Sequence, residues 1–200
     1  MLEHLGAYGI DADALGHRAI AKGAPAYQPV LNTFGRWLLA PDGQIDRARL
    51  ARIVFSDPEA LSSLEAIVHP LVRQAVDILI RRSKERIIVV EAIKLLESPL
   101  RDSCDSLWTT YAPPEVQLTR LVQKRGMTPT AARQRILAQG SQEEKIAVAN
   151  VVIRNMGTFE DTWRQVSAAW KTVFPAEDTR PVKPAAPAAK GELVVEKASA

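Results

Sequence analysis

The chain has 200 residues, 46% of them hydrophobic and 24% charged, with a formal net charge of +3. That length suits one domain with a sizeable core, burying roughly 70% of the surface its unfolded chain exposes. The composition excludes a basic nucleic-acid arm, a disulfide framework (Cys104 is the single cysteine) and any apolar stretch near the ~20 residues of a membrane span.

No secretory leader opens the sequence, so a reducing, cytoplasmic setting is expected. Residues 1–5 read as the end of an amphipathic helix stopped by Gly6. Such a stub is too short to hold itself together, and a segment upstream of Met1 is expected. Ile10-Asp11-Ala12-Asp13 is a strand end delivering two carboxylates. Helical patterns follow over residues 14–21 and 26–34, the second closed by Gly35, and Ala40-Pro41-Asp42-Gly43 is a turn. Asp46 is the expected cap of a helix over 47–55, where Leu50, Ile53 and Val54 recur at helical spacing. Pro58 starts a helix that meets His69-Pro70, and a further helix is expected over 71–82.

Ile87-Ile88-Val89-Val90 is an unbroken β-branched run between charges, the form of a parallel strand covered on both faces. Ligands sit at the carboxyl ends of such strands, where Glu91 emerges with Lys94 and Glu97 close behind. A buried strand followed by an ordinary solvated turn has the same pattern. Residues 98–105 read as a polar connection, and 107–111 as a second strand. Helices are expected from Pro114 to about Lys124, over 130–139 behind Thr128-Pro129, and over Gln142–Val148. Residues 151–153 read as a third buried strand. Thr158 and Asp161 then open a last helix with Trp163, Val166 and Trp170 on one face. Strands alternating with helices give an α/β fold, a parallel sheet flanked by helices. Residues 1–176 form the expected domain, and the Pro-, Ala- and Lys-rich stretch 177–200 an expected disordered tail or linker.

Three groups of residues could carry chemistry. In Asp11 and Asp13, one carboxylate can take a proton from a hydroxyl nucleophile while the other orients the substrate or holds magnesium through water. The same triplet also occurs in plain turns. His69-Pro70-Leu71-Val72-Arg73 places an imidazole before a proline-started helix and a guanidinium one turn in, a setting for an anion, unless His69 is simply a cap. Arg120, Lys124, Arg125, Arg133 and Arg135 stud two helices joined at Gly126-Met127. That is either a lid whose guanidinium groups neutralise a transferring phosphoryl group, or a solvated basic face. No histidine or cysteine pair has metal-ligand spacing, which rules against a zinc site. No G-x-x-x-x-G-K-[ST], G-x-S-x-G, C-x-x-C or G-x-G-x-x-G occurs in the 200 residues.

Taken in order, Ile10–Asp13 with His17, Gly23-Ala24-Pro25-Ala26, Val54-Phe55-Ser56-Asp57-Pro58, the His69–Arg73 stretch, Pro113–Gln117, Arg125-Gly126 and Val152–Gly157 resemble the dephospho-coenzyme A kinase family. The resemblance spans about residues 2–173. It implies a P-loop kinase-like, three-layer α/β fold with a helical acceptor-binding part at about 14–85 and a lid at about 120–148. It also implies a phosphotransferase that moves the γ-phosphate of ATP to the ribose 3′-hydroxyl of dephospho-coenzyme A, the last step of coenzyme A synthesis, assisted by magnesium. On the matching positions, Asp11 is the implied base, with Asp13, His17, His69, Arg73 and Glu91 on the acceptor side. Arg120, Arg125, Arg133, Arg135 and Asn155 fall on the ATP side. Dephospho-coenzyme A and ATP are the implied partners, with neither nucleic acid nor membrane.

The sequence departs from the family pattern in three places. The first strand and the phosphate-cradling glycine-rich loop are absent from these residues. The family's Asp-x-Pro-Leu-Leu-x-Glu becomes a stretch in which Glu91 replaces the aspartate, Ile93 the proline and Lys94 the first leucine. Arg154 stands where an aspartate is more usual. Two expectations compete: a kinase clipped of its loop and inactive without it, or a non-catalytic coenzyme A- or nucleotide-binding relative with a regulatory or assembly role. The retained set of acceptor and lid residues favours the first.

Overall fold

Asp11 ends one element and starts the next. In the computed structural model, which describes residues 1–175, strand β1 (Tyr8–Asp11) stops at this residue. The Asp11 Oδ1 accepts a 2.8 Å hydrogen bond from the Ala14 N–H, capping helix α1 (Ala12–Ala19). The helix therefore begins two residues before the expected 14–21. Asp13 lies in its first turn and not at the strand end. Ahead of β1, a single 3-10 turn at Glu3–Leu5 is closed by Gly6 at φ 102°, as expected for a glycine stop.

The chain stays helical through α2 (Tyr27–Phe34), α3 (Arg47–Val54) and α4 (Pro58–Arg82) before β2 (Ile88–Glu91) returns parallel to β1. Asp46 and Asp57 cap α3 and α4 with their carboxylates, the local signals that made both starts readable. One apolar cluster, with Val30, Leu31, Leu38, Leu50 and Val54 at its centre, packs α2 and α3 on the first half of α4. A second, with Ile10, Val72 and Val76, joins the other half of α4 to β1 and β2.

The two helices expected on either side of His69-Pro70 are one helix of 25 residues. An interior proline costs about 3 kcal/mol through its missing N–H and its clash with the preceding turn. Here Leu64, Ile67, Val68 and Leu71 pack into the first cluster, while Val72 and Val76 fill the second. Burial on both sides of Pro70 outweighs the local break. Ala66, whose carbonyl loses its partner, is exposed and open to water. His69 therefore sits in mid-helix, and the helix-start anion setting does not exist there.

A second parallel unit follows. It runs β3 (Trp108–Tyr111), α5 (Pro114–Arg125), α6 (Pro129–Leu137), α7 (Gln142–Val148) and β4 (Val151–Arg154), and α8 (Phe159–Val173) packs on β4. The α/β architecture of parallel strands and flanking helices is the expected one. Among the described residues the strands form two separate pairs, β1–β2 and β3–β4. Full burial of the strands is not observed: Ile88, Val89 and Val90 are half-buried, and in β4 only Ile153 is buried. Each strand has a neighbour on one edge alone, so fewer side chains close over it. The connection after β2 is partly ordered into 3-10 turns at Leu95–Glu97 and Pro99–Ser103. The expected tail, 177–200, lies outside the described residues.

Candidate active site

The parallel register of β1 and β2 pairs Tyr8 with Ile88 and carries through to Asp11 opposite Glu91. Two exposed carboxylates thus emerge side by side at the carboxyl ends of strands about 4.8 Å apart. The Asp11 Oδ1 is engaged by the α1 cap, and its Oδ2 has no partner among the described residues. Asp13 faces the loop after β2, where its Oδ2 accepts a 3.3 Å bond from the Ile93 N–H.

Lys94, on the same loop, reaches α4. Its Nζ lies 3.0 Å from Glu65 Oε1 and 3.6 Å from Glu97 Oε2. The hydrogen bond to Glu65 holds the Lys94 ammonium above its ordinary value, against the opposing effect of burial. Glu65, His69 and Arg73 follow one another in steps of four, so they share one stripe of α4. α1 lies against that helix as well: a Cβ on Gly16 would stand 3.6 Å from Val68. His17, in the last turn of α1, is exposed, and its carbonyl accepts a 3.2 Å bond from Arg47 Nη2. The structure therefore sets Asp11 opposite Glu91 in the β1–β2 register and ties Asp13 to the Ile93 N–H of the next loop, from which Lys94 reaches Glu65 on the stripe that carries His69 and Arg73.

The residues expected on the ATP side belong to the other sheet. α5 leaves β3 and ends at Gly126 in the left-handed region, and Thr128 caps α6. Arg120 is half-buried, Arg125, Arg133 and Arg135 are exposed, and none of the four forms an ion pair among the described residues. Asn155 follows β4, with its N–H on the Tyr111 carbonyl at 2.8 Å. Gln165 of α8 grips the Arg154 backbone through two 2.9 Å bonds, while the Arg154 side chain is exposed. Cys104 offers no ready thiolate. Burial pushes its thiol up, the Asp105 charge adds to this, and its Sγ donates to the Leu100 carbonyl at 3.3 Å.

Sequence reasoning missed Glu65 and Gln165. Their partners lie 29 and 11 residues away, and no local pattern announces such pairs.

The loop bearing Asn155 runs into α8 through a capping box. Thr158 Oγ1 accepts from the Asp161 N–H, and Asp161 Oδ2 accepts from the Thr158 N–H. The Thr158 backbone bond, then its hydroxyl, hold the Asp161 carboxyl below its ordinary 3.8. A group depressed on folding contributes stability above its unfolded value and loses it as pH falls through the folded value. The stability advantage of the wild type over Asp161→Asn is therefore expected to be constant near neutrality and to shrink below about pH 4. Urea titrations of both chains across that range check this.

No group of three His, Cys, Asp or Glu able to hold a metal occurs among the described residues. Magnesium requires only one or two carboxylates, with water and substrate phosphate completing its shell. The neighbouring Asp11 and Glu91, with Asp11 Oδ2 unpartnered among the described residues, have the donor chemistry that such an ion takes.

Comparison with known proteins shows the family. The sequence profile of the family described as "Dephospho-CoA kinase" matches residues 1–161. A dephospho-CoA kinase of Geobacter metallireducens is 41% identical over 174 residues, spanning 86% of this chain and 87% of the relative. One from Geobacter sulfurreducens is 39% identical over 178 residues, spanning 88% and 90%. Among solved structures, TT1252 from Thermus thermophilus superposes with a TM-score of 0.70 at 29% identity, over 86% of this chain and 87% of that one. Dephospho-CoA kinase from Campylobacter jejuni gives 0.58 at 25% identity, over 85% and 87%. With a matched profile across most of the chain and relatives near 40% identity over most of their length, the chain belongs to the dephospho-CoA kinase family of phosphotransferases.

Proposed function

We propose that the chain carries the acceptor site and lid for transfer of the ATP γ-phosphate to the ribose 3′-hydroxyl of dephospho-coenzyme A. The observation that carries this reading is the Asp11–Glu91 pair at the carboxyl ends of parallel strands. Asp11 takes the proton of the 3′-hydroxyl as its oxygen bonds to the γ-phosphorus, and the bond to the bridging oxygen breaks to release ADP. Asp13, His17, His69, Arg73 and Glu91 hold the acceptor. Arg120, Arg125, Arg133 and Arg135, free of carboxylate partners among the described residues, neutralise the phosphoryl oxygens, and Asn155 lies by the adenine. Asp11 and Glu91 are the residues that would hold magnesium, which would supply further neutralisation of the phosphates.

Phosphoryl transfer depends almost wholly on positioning and electrostatics, and a glycine-rich loop with its lysine provides much of both for the β- and γ-phosphates. Residues 1–200 contain no such loop. By themselves they are expected to bind dephospho-coenzyme A with negligible turnover, while the same residues preceded by a strand and a G-x-x-x-x-G-K-[ST] loop are expected to form coenzyme A and ADP. Robust turnover by residues 1–200 alone would contradict the role given to the loop. No turnover by the extended chain would leave a coenzyme A-binding relative without catalysis.

A further inference from the structure

The loop that carries the chain out of β2 is tied on both sides. The Ile93 N–H bonds to Asp13 on α1, and Lys94 Nζ reaches Glu65 on α4 at 3.0 Å and Glu97 at 3.6 Å. Beneath these ties, Ala92 and Leu95 pack into the cluster shared by β1, β2 and α4. The Lys94 and Glu65 side chains are 43% and 32% exposed. The pair is thus less screened than one on the open surface, and not so buried that desolvation outweighs attraction. Its place on α4 is specific. Glu65 is one turn before His69 and two before Arg73, on the same stripe. Without the ammonium, Glu65 and Glu97, both within reach of one nitrogen, repel each other. A bare carboxylate then stands one turn from the imidazole and guanidinium that meet an anionic acceptor.

We propose that Lys94 is a positioning residue of the acceptor site: its bridge to Glu65 fastens loop 92–97 to α4, keeping Glu91 beside Asp11 and screening the Glu65 charge from a phosphate-bearing acceptor. The role rests on the reading of the chain as a binder of dephospho-coenzyme A. It gives a physical reason for a lysine where the family pattern has leucine, since this chain has a carboxylate on α4 within its reach.

The test is calorimetric titration of the 200-residue chain with dephospho-coenzyme A and, separately, with ATP, beside amide hydrogen exchange of residues 92–97 without ligand. Lys94→Met is expected to weaken dephospho-coenzyme A binding about two- to fivefold and to speed exchange of the loop by a similar factor. Lys94→Arg, which keeps the bridge, is expected to stay near wild type, and ATP affinity to be the same in all three chains. If Lys94→Met binds dephospho-coenzyme A as the wild type does, the positioning role is overturned, whether or not loop exchange has changed. Equal losses in both variants, or an equal loss of ATP binding, would also overturn it. If the wild-type chain itself fails to bind dephospho-coenzyme A, the functional reading falls and this role falls with it.

Discussion

Asp11→Asn, made in a chain that carries the phosphate-cradling loop, is expected to lower turnover by about 10²- to 10⁴-fold. Its affinity for dephospho-coenzyme A is expected to change by less than about threefold, a split that marks loss of a transition-state role. The substitution separates the capping job of this side chain from the two that need a carboxylate, taking the proton and holding magnesium. Asparagine caps a helix as well as aspartate does, and its amide oxygen can still accept from the Ala14 N–H, so α1 should start where it does now. What asparagine cannot do is take the proton of the acceptor hydroxyl. Asp11→Ala would confound these jobs, because losing the cap costs a further ~1 kcal/mol of stability. Steady-state kinetics with acceptor varied decide the matter, and an unchanged rate removes Asp11 from the base role.

The second large effect is expected at the lid. Arg133 is exposed and forms no ion pair among the described residues, so Arg133→Ala should alter stability by no more than about 0.5 kcal/mol. In the loop-bearing chain it is expected to lower kcat/KM for ATP about 10²- to 10³-fold, the scale of removing one donor to developing charge. Arg133→Lys should recover only part of this, because an ammonium is a point charge without the guanidinium fork. Equal kinetics in all three proteins would make the hairpin a solvated basic face.

Much of this architecture was legible in the sequence because its signals are local. Asp46, Asp57, Thr128 and Thr158 each cap a helix, and Gly6 and Gly126 each end one. The carboxylates of the rim were legible too, since a polar residue straight after an apolar run marks a strand's carboxyl end. What escaped was long-range. Whether Pro70 ends a helix depends on apolar clusters built partly from residues 20–54 and from β1 and β2, which lie far from it in sequence. The pairing of strands into two couples is likewise a matter of partners, and a four-residue apolar run looks the same with one neighbour or two. The part played by Lys94 could not be read at all, because Glu65 sits 29 residues earlier.

The proposed function divides the labour between the two sheets, assigning the acceptor to the Asp11–Glu91 rim and α4, and the donor nucleotide to the arginine hairpin and Asn155. Amide hydrogen exchange of the 200-residue chain with each ligand in turn tests that division most directly. Dephospho-coenzyme A is expected to protect the segments around residues 11–17, 65–73 and 91–97, while ATP protects 120–135 and the Asn155 loop. Protection of the arginine hairpin by dephospho-coenzyme A, with the Asp11–Glu91 rim exchanging as in the free chain, would contradict the account.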